Sequence, residues 1–110
     1  MCAMDFVEIT EGKTSVLVPV QDNTTQFPPG SAPVFFNRRM ELNRDLTILL
    51  LSILKPSDYL DAMGATGIRG IRVATECEIP VTIADRDPGA VELIRKNTAR
   101  SGIDIPVIER

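Results

Sequence analysis

Two acids and an arginine flank a glycine turn in the stretch Y-L-D-A-M-G-A-T-G-I-R-G-I-R that opens at Tyr59. Asp61 stands just ahead of Gly64 and Gly67, Arg69 follows them, and Asp85 closes the later run I-P-V-T-I-A-D. A glycine turn between a strand and a helix lets a ligand approach the backbone, and an acid about 20 residues further on suits ribose hydroxyls. A P-loop needs Lys and then Ser or Thr after its last glycine, and this turn has neither. A dinucleotide turn reads G-x-G-x-x-G, with its helix start open to pyrophosphate. Here the spacing is G-x-x-G-x-x-G, and Asp61 would repel that pyrophosphate. An arginine in the first turn of a helix opposes the macrodipole by about 0.3–1 kcal/mol, and a ligand carboxylate opposite Arg69 would offset that. An acid for a cation, an arginine for a carboxylate and an acid for a ribose are met together by S-adenosylmethionine. Structural roles compete with this reading. Asp61 can cap the turn, Arg69 can pair with an acid, and Asp87, before Pro88, reads as a helix cap.

Positioning these groups takes alternating elements. Tyr59 to Met63 reads as a short strand buried on both faces, and Gly64 to Gly67 as the turn. The following helix, to Cys77, places Ile68, Ile71, Ala74 and Cys77 on one side and Arg69, Arg72 and Glu76 on another. Val81 to Ala84 is a second strand. A helix follows from Asp87 to Gly102 with Val91, Ile94 and Thr98 inward, and Ile105 to Ile108 begins a third strand. That order predicts a parallel sheet with right-handed crossovers.

Upstream, Phe6, Val7, Ile9, Val16 and Val18 alternate around Glu11-Gly12, which predicts a hairpin in a sheet of its own. Gln21 to Pro33 reads as a loop. The segment V-F-F-N-R-R-M-E-L-N-R-D then leads into a helix, with Asn37 or Asn43 as its cap and Lys55-Pro56 as its stop. Leu46, Leu49, Leu50, Ile53 and Leu54 give it an apolar face expected to pack on the sheet. Phe35 and Phe36 suit core packing and surface cover, or one of them lies beside a flat substrate. Any two of Arg38, Arg39 and Arg44 are expected on a solvated face, and one flanking the pocket would pair with a carboxylate.

Composition narrows the classes. The 110 residues suffice for one core. A net charge of −3 argues against coating nucleic acid by bulk charge, though Arg38, Arg39 and Arg44 leave room for a local basic cluster. The longest apolar run, around Ile48 to Leu54, is too short to span a bilayer, so no membrane partner is expected. Asp5, Glu8 and Glu11 break any signal-peptide core, so the expected location is the cytoplasm. Two cysteines make no disulfide framework, and Cys77 reads as a small buried hydrophobe. With no histidine in the chain, His-based nucleophiles and nearly all zinc sites are excluded, and no metal is expected.

The runs V-F-F-N-R-R-M-E-L-N-R-D, L-D-A-M-G-A-T-G-I-R-G-I-R and A-D-R-D-P-G-A-V-E-L-I-R-K-N together resemble the tRNA guanine-N2 dimethyltransferase family. The resemblance runs from about Phe6 to Arg110. It implies an S-adenosylmethionine-dependent enzyme that methylates N2 of guanine 26 in tRNA, with tRNA as partner. By the same resemblance Arg44, Arg69 and Asp85 match cofactor-binding positions, and Phe35 matches an aromatic near the target base. Met63 and Ala65 stand where a generic D-x-G-x-G-x-G methyltransferase turn has its first two glycines, and Gly67 keeps the third. The family's D-P-[FP] catalytic motif and tRNA-binding domain are expected beyond Arg110, so no catalytic residue is assigned.

The fold expected is α/β: an incomplete Rossmann-like methyltransferase fold of three parallel strands and two helices, preceded by a β-hairpin and a buried helix. Residues 1–36 would form the hairpin and loop, and 37–110 the first half of the methyltransferase domain. The alternatives are a fragment of a dinucleotide-dependent oxidoreductase and a non-catalytic remnant.

Overall fold

The computed structural model describes residues 6–20 and 36–110. Strands β1 (Phe6–Glu11) and β2 (Thr14–Pro19) pair antiparallel around a Gly12-Lys13 turn, with Ile9 opposite Val16 and Glu8 opposite Leu17. A 3₁₀ turn, Arg38–Met40, is capped by Asn37, whose side chain accepts from the Arg39 amide at 2.9 Å. Helix α1 (Glu41–Leu54) follows and stops at Lys55, just ahead of Pro56. Then come β3 (Tyr59–Asp61), α2 (Ile68–Arg72), β4 (Val81–Asp85), α3 (Pro88–Ser101) and β5 (Val107–Glu109). A π-helical turn, Val73–Cys77, extends α2.

Strands β3, β4 and β5 lie side by side and parallel, Asp61 opposite Ile83 and Ile83 opposite Val107, while the hairpin forms a second sheet. Adjacent parallel strands joined in sequence by helices make one half of a doubly wound fold, whose ligand edge is the carboxyl end of the strands. The caps of α3 are those the sequence predicts. Asp87 accepts from the Ala90 amide at 2.9 Å, Pro88 occupies the first turn, and Gly102 takes a φ of 75° at the end. The core gathers Ile71, Ile83 and Ile94 from the α/β unit and Val16 and Val18 from the hairpin. The hairpin is therefore packed into the same core as the sheet.

Two expectations fail. The Leu46, Leu49, Leu50, Ile53 and Leu54 face of α1 is not buried: these side chains are 54–71% exposed. The helix meets the π-helical turn through Ile48, Leu51 and Ser52, so the buried stripe lies on its other side and continues to Arg44. Burial of β3 on both faces fails as well, since Leu60 is 60% exposed on an edge strand, and the strand ends at Asp61, leaving Met63 beyond it 85% exposed. Arg72 shares a side of its helix with Glu76, as expected, and is buried there because three acids surround it. Phe35, Cys2 and the loop from Gln21 to Pro33 lie outside the described residues.

Candidate functional site

The carboxyl ends of β3 and β4 carry the two acids. Gly64 continues the sheet through its amide to the Ala84 carbonyl at 2.9 Å. A methyl group at Gly64 would lie 2.4 Å from Ile83 Cγ2, so only hydrogen fits between turn and strand. Gly67 starts α2 at a φ of 87°, in the left-handed region that favours glycine. Ala65 is also left-handed, at 52°, where the generic motif has glycine. Its methyl packs against Ala90 and Leu93 of α3.

Asp61 is buried beneath this turn and accepts from the Gly70 amide at 3.1 Å. Burial pushes its carboxyl above the ordinary carboxylate range, against the pull of the Gly70 amide and the Arg69 charge. Tyr59 is raised too, first by burial and then by the Asp61 charge. Arg69 crosses to α1, donating through Nη1 to Thr47 Oγ1 at 2.6 Å and through Nη2 to Asn43 Oδ1 at 2.7 Å. Among the described residues neither Asp61 nor Arg69 has an ion-pair partner within 4.0 Å. Asp61 and Arg69, with Phe36, Arg44, Gly64 and Ala65, line an open cleft of about 130 Å³.

Asp85 is tied to the wall of this cleft, one oxygen accepting from the Ala65 amide and the other from the Asp87 amide, both at 2.9 Å. A carboxylate has about four acceptor directions, so each oxygen keeps capacity for a ligand hydroxyl. Arg44 is only 5% exposed. Its Nε donates to Glu11 Oε1 at 2.7 Å and its Nη2 to Glu11 Oε2, while the guanidinium lies 4.9 Å from the centroid of the Phe36 ring. Arg38 and Arg39 are solvated, as expected for two of the three arginines.

The structure thus brings Arg44, Asp61, Gly64 and Arg69 to one cleft. Gly67 and Asp85 do not line it, Gly67 lying at the start of α2 and Asp85 being tied to the cleft wall through the Ala65 amide, and Phe35 lies outside the described residues. The residues that hold these groups were missed in the sequence. Asn43 and Thr47 carry a weak signal, one helical turn apart on a single face. Glu11 and Asn97 carry none, since each acts across the fold. Among the described residues no cluster of His, Cys, Asp and Glu could hold a metal ion, and no helix is long and apolar enough to cross a membrane.

A parallel sheet with its acids at the strand ends and a glycine turn between them defines the class. The chain has the first half of a Rossmann-like methyltransferase fold. A solved S-adenosylmethionine-dependent methyltransferase from Agrobacterium tumefaciens superposes with a TM-score of 0.72 at 15% identity, over 99% of this chain and 33% of that one.

The chain belongs to the N2,N2-dimethylguanosine tRNA methyltransferase family, whose model matches residues 12–109. A tRNA (guanine(26)-N(2))-dimethyltransferase of Methanoregula boonei is 72% identical over 94% of this chain and 28% of its own length. Its counterpart in Saccharolobus solfataricus is 42% identical over 92% of this chain and 28% of its own. Trm1 from Pyrococcus horikoshii, solved in complex with S-adenosyl-L-methionine, superposes with a TM-score of 0.73 at 42% identity, over 86% of this chain and 24% of that one. The chain thus spans roughly a quarter of the length of the relatives it matches.

Proposed function

We propose that this chain is the methyl-donor-binding part of a tRNA guanine-N2 dimethyltransferase acting on guanine 26, with S-adenosylmethionine as cofactor and tRNA as substrate. The observation that carries the reading is a complementary pair left open across the glycine turn. Among the described residues neither the buried Asp61 nor Arg69 has an ion-pair partner within 4.0 Å, and the Arg69 charge reaches Asp61 only from a distance, too weakly to offset its burial. An amino-acid moiety supplies both missing charges. A dinucleotide would instead bring its pyrophosphate to Asp61, against like charge.

In this reading Asp61 takes the ligand ammonium, which removes the burial penalty now raising its carboxyl. Arg69, held from α1 by Asn43 and Thr47, takes the carboxylate. Arg44, fixed by Glu11, forms the wall between them and Phe36. Asp85 accepts the ribose hydroxyls with the lone pairs that the Ala65 and Asp87 amides leave open. Gly64 and Gly67 let the backbone approach closely. When bound, S-adenosylmethionine supplies an electrophilic methyl on its sulfonium, and the chain's task is to hold it in line with the guanine amine. Phe35 is assigned to the base side, and none of the 110 residues is assigned the handling of the proton. Residues 37–110 are assigned to the first half of the methyltransferase domain, with the hairpin of residues 6–19 as its N-terminal unit packed into the same core. The place of action is the cytoplasm.

Isothermal titration of the natural full-length protein with S-adenosylmethionine tests the reading. Binding is expected, weakened about tenfold or more by Asp85→Ala, the loss of a charged hydrogen-bond acceptor. Equal affinity of the two proteins would sink the ribose assignment.

A further inference from the structure

Asn97 ends the L-I-R-K-N run of α3 and takes no part in the cofactor reading above, yet it is 0% exposed. Its amide has three partners. Oδ1 accepts from the Leu17 amide at 2.8 Å, while Nδ2 donates to the Leu17 carbonyl at 2.9 Å and to the Thr66 carbonyl at 2.8 Å. Leu17 lies on β2, whose other edge pairs with β1. The Asn97 side chain therefore does for one residue what a third strand would do, saturating the free backbone edge of the hairpin. Its remaining proton goes to the carbonyl of Thr66, which lies between Ala65, whose amide holds Asp85, and Gly67, which starts α2. Thr66 is itself 1% exposed, and its hydroxyl accepts from the Ile68 amide at 3.3 Å.

Any asparagine that merely docked the hairpin would need only the two bonds to Leu17. The third bond reaches the turn on which the whole cleft depends. Rotating the Thr66–Gly67 peptide would shift the start of α2, and with it Arg69, and would disturb the turn whose Ala65 amide holds Asp85. No other side chain among the described residues is recorded as donating to that carbonyl. We infer that Asn97 is a positioning residue for the cofactor site: its buried amide sets the 64–67 turn and couples that setting to the docking of the N-terminal hairpin. The inference rests on the cofactor reading proposed above.

The test compares Asn97→Ala with Val18→Ala in the natural full-length protein. Val18 is a buried hairpin residue that is not among those lining the cleft and makes no side-chain bond to the turn, so its truncation loosens the same hairpin. Affinity for S-adenosylmethionine is read by titration, and KM for the methyl donor and kcat by steady-state kinetics, alongside thermal midpoints. Asn97→Ala is expected to weaken donor binding about tenfold, in KM more than in kcat, because a misplaced turn costs about one buried hydrogen bond of binding energy. Val18→Ala, at a comparable loss of thermal midpoint, is expected to change affinity less than about twofold. Equal donor affinity in the two variants would overturn the inference and leave Asn97 a structural residue. Should Asn97→Ala fail to fold, Asn97→Ser keeps a small hydroxyl and is read by the same comparison. If the unsubstituted protein binds no donor, the cofactor reading falls and this inference with it. Binding that the Asn97 variants leave unchanged removes the inference alone.

Discussion

At Asp61 folding and binding pull in opposite directions. Burial raises its pKa, so it favours folding below the ordinary carboxylate range of 3.8, and that contribution is lost as pH rises through the folded pKa. At neutral pH the buried charge is therefore a net cost. Asp61→Asn keeps an acceptor for the Gly70 amide and removes the charge. It is expected to raise the thermal midpoint by a few degrees at pH 7, about 0.5–1 kcal/mol, with the gain vanishing near pH 3. The same change should weaken donor binding about tenfold or more, since a charged hydrogen bond to the ammonium is lost. Calorimetry at several pH values with parallel titration checks both halves, and a variant that gains stability without losing affinity would remove Asp61 from the site. The turn offers a second contrast. Left-handed backbone costs an L residue about 1–2 kcal/mol, but the Ala65 methyl recovers about 0.8 kcal/mol by packing on Ala90 and Leu93. Ala65→Gly should then shift stability by less than about 1 kcal/mol. Gly67→Ala, at a φ of 87° with Ile71 Cδ1 3.3 Å from the new methyl, should cost about 1–3 kcal/mol in chemical denaturation. The positions of Asp61, Arg69 and Asp85 around the glycine turn were legible because local motif chemistry fixes their places. Their supports were not: Glu11 lies 33 residues from Arg44 and Leu17 lies 80 from Asn97, and no local pattern reports such pairs.

The elements divide in the same way. Helix α3 was readable end to end, because Asp87-Pro88 and Gly102 are caps that act within one turn, and the hairpin was readable from its alternation. Helix α1 misled, because counting leucines favours the richer stripe. The stripe that is buried carries Arg44, and it can be buried only because the hairpin delivers Glu11 to it. Arg72 repeats the lesson. It joins the hairpin, α1 and its own helix by meeting Glu11, Asp45 and Glu76. Burial alone would lower the pKa of Arg72, but hydrogen bonds to Glu76 and Asp45 outweigh it and hold the pKa above its ordinary value. Burial would likewise raise the Glu76 carboxyl, but the Arg72 hydrogen bond and charge, with the Thr14 hydroxyl, bring it below its ordinary 4.5. A depressed folded pKa means that Glu76 stabilises fully above about pH 4.5 and that this is lost as pH falls through the folded value. Glu76→Gln should therefore lower stability by about 1–3 kcal/mol at pH 7, with the gap to the parent closing on acidification below pH 4.5. A gap that persisted unchanged to pH 3 would mean the packing of Glu76, and not its charge, is what matters.

For the molecule as a whole, the unexpected surface is the outer face of α1. Leu42, Leu46, Leu49, Leu50, Ile53 and Leu54 are all more than half exposed, and Leu60 on the neighbouring edge strand is exposed too. Single exposed leucines are ordinary, but this many on one helix face make a contiguous apolar patch of the kind that soluble monomers rarely leave bare. Among the described residues β3 is also an edge strand with no partner on its outer side. These 110 residues made by themselves are therefore expected to bind a hydrophobic dye such as anilinonaphthalene sulfonate and to self-associate as concentration rises. Because the patch contributes nothing to the packed core, placing lysine at Leu46 and Leu50 should suppress both effects while moving the thermal midpoint little, within about 0.5 kcal/mol per site. Truncating Leu51 on the opposite stripe should do the reverse. It is 9% exposed and part of the core, so Leu51→Ala should lower stability by about 2–4 kcal/mol and leave self-association of the folded chain unrelieved. Sedimentation velocity across a concentration series, with dye fluorescence and thermal melts on the same samples, separates the two faces. If the double lysine variant melted far below the parent while Leu51→Ala did not, the buried and exposed stripes of α1 would have to be exchanged, which would carry Arg44 out of its pairing with Glu11 and away from the cleft.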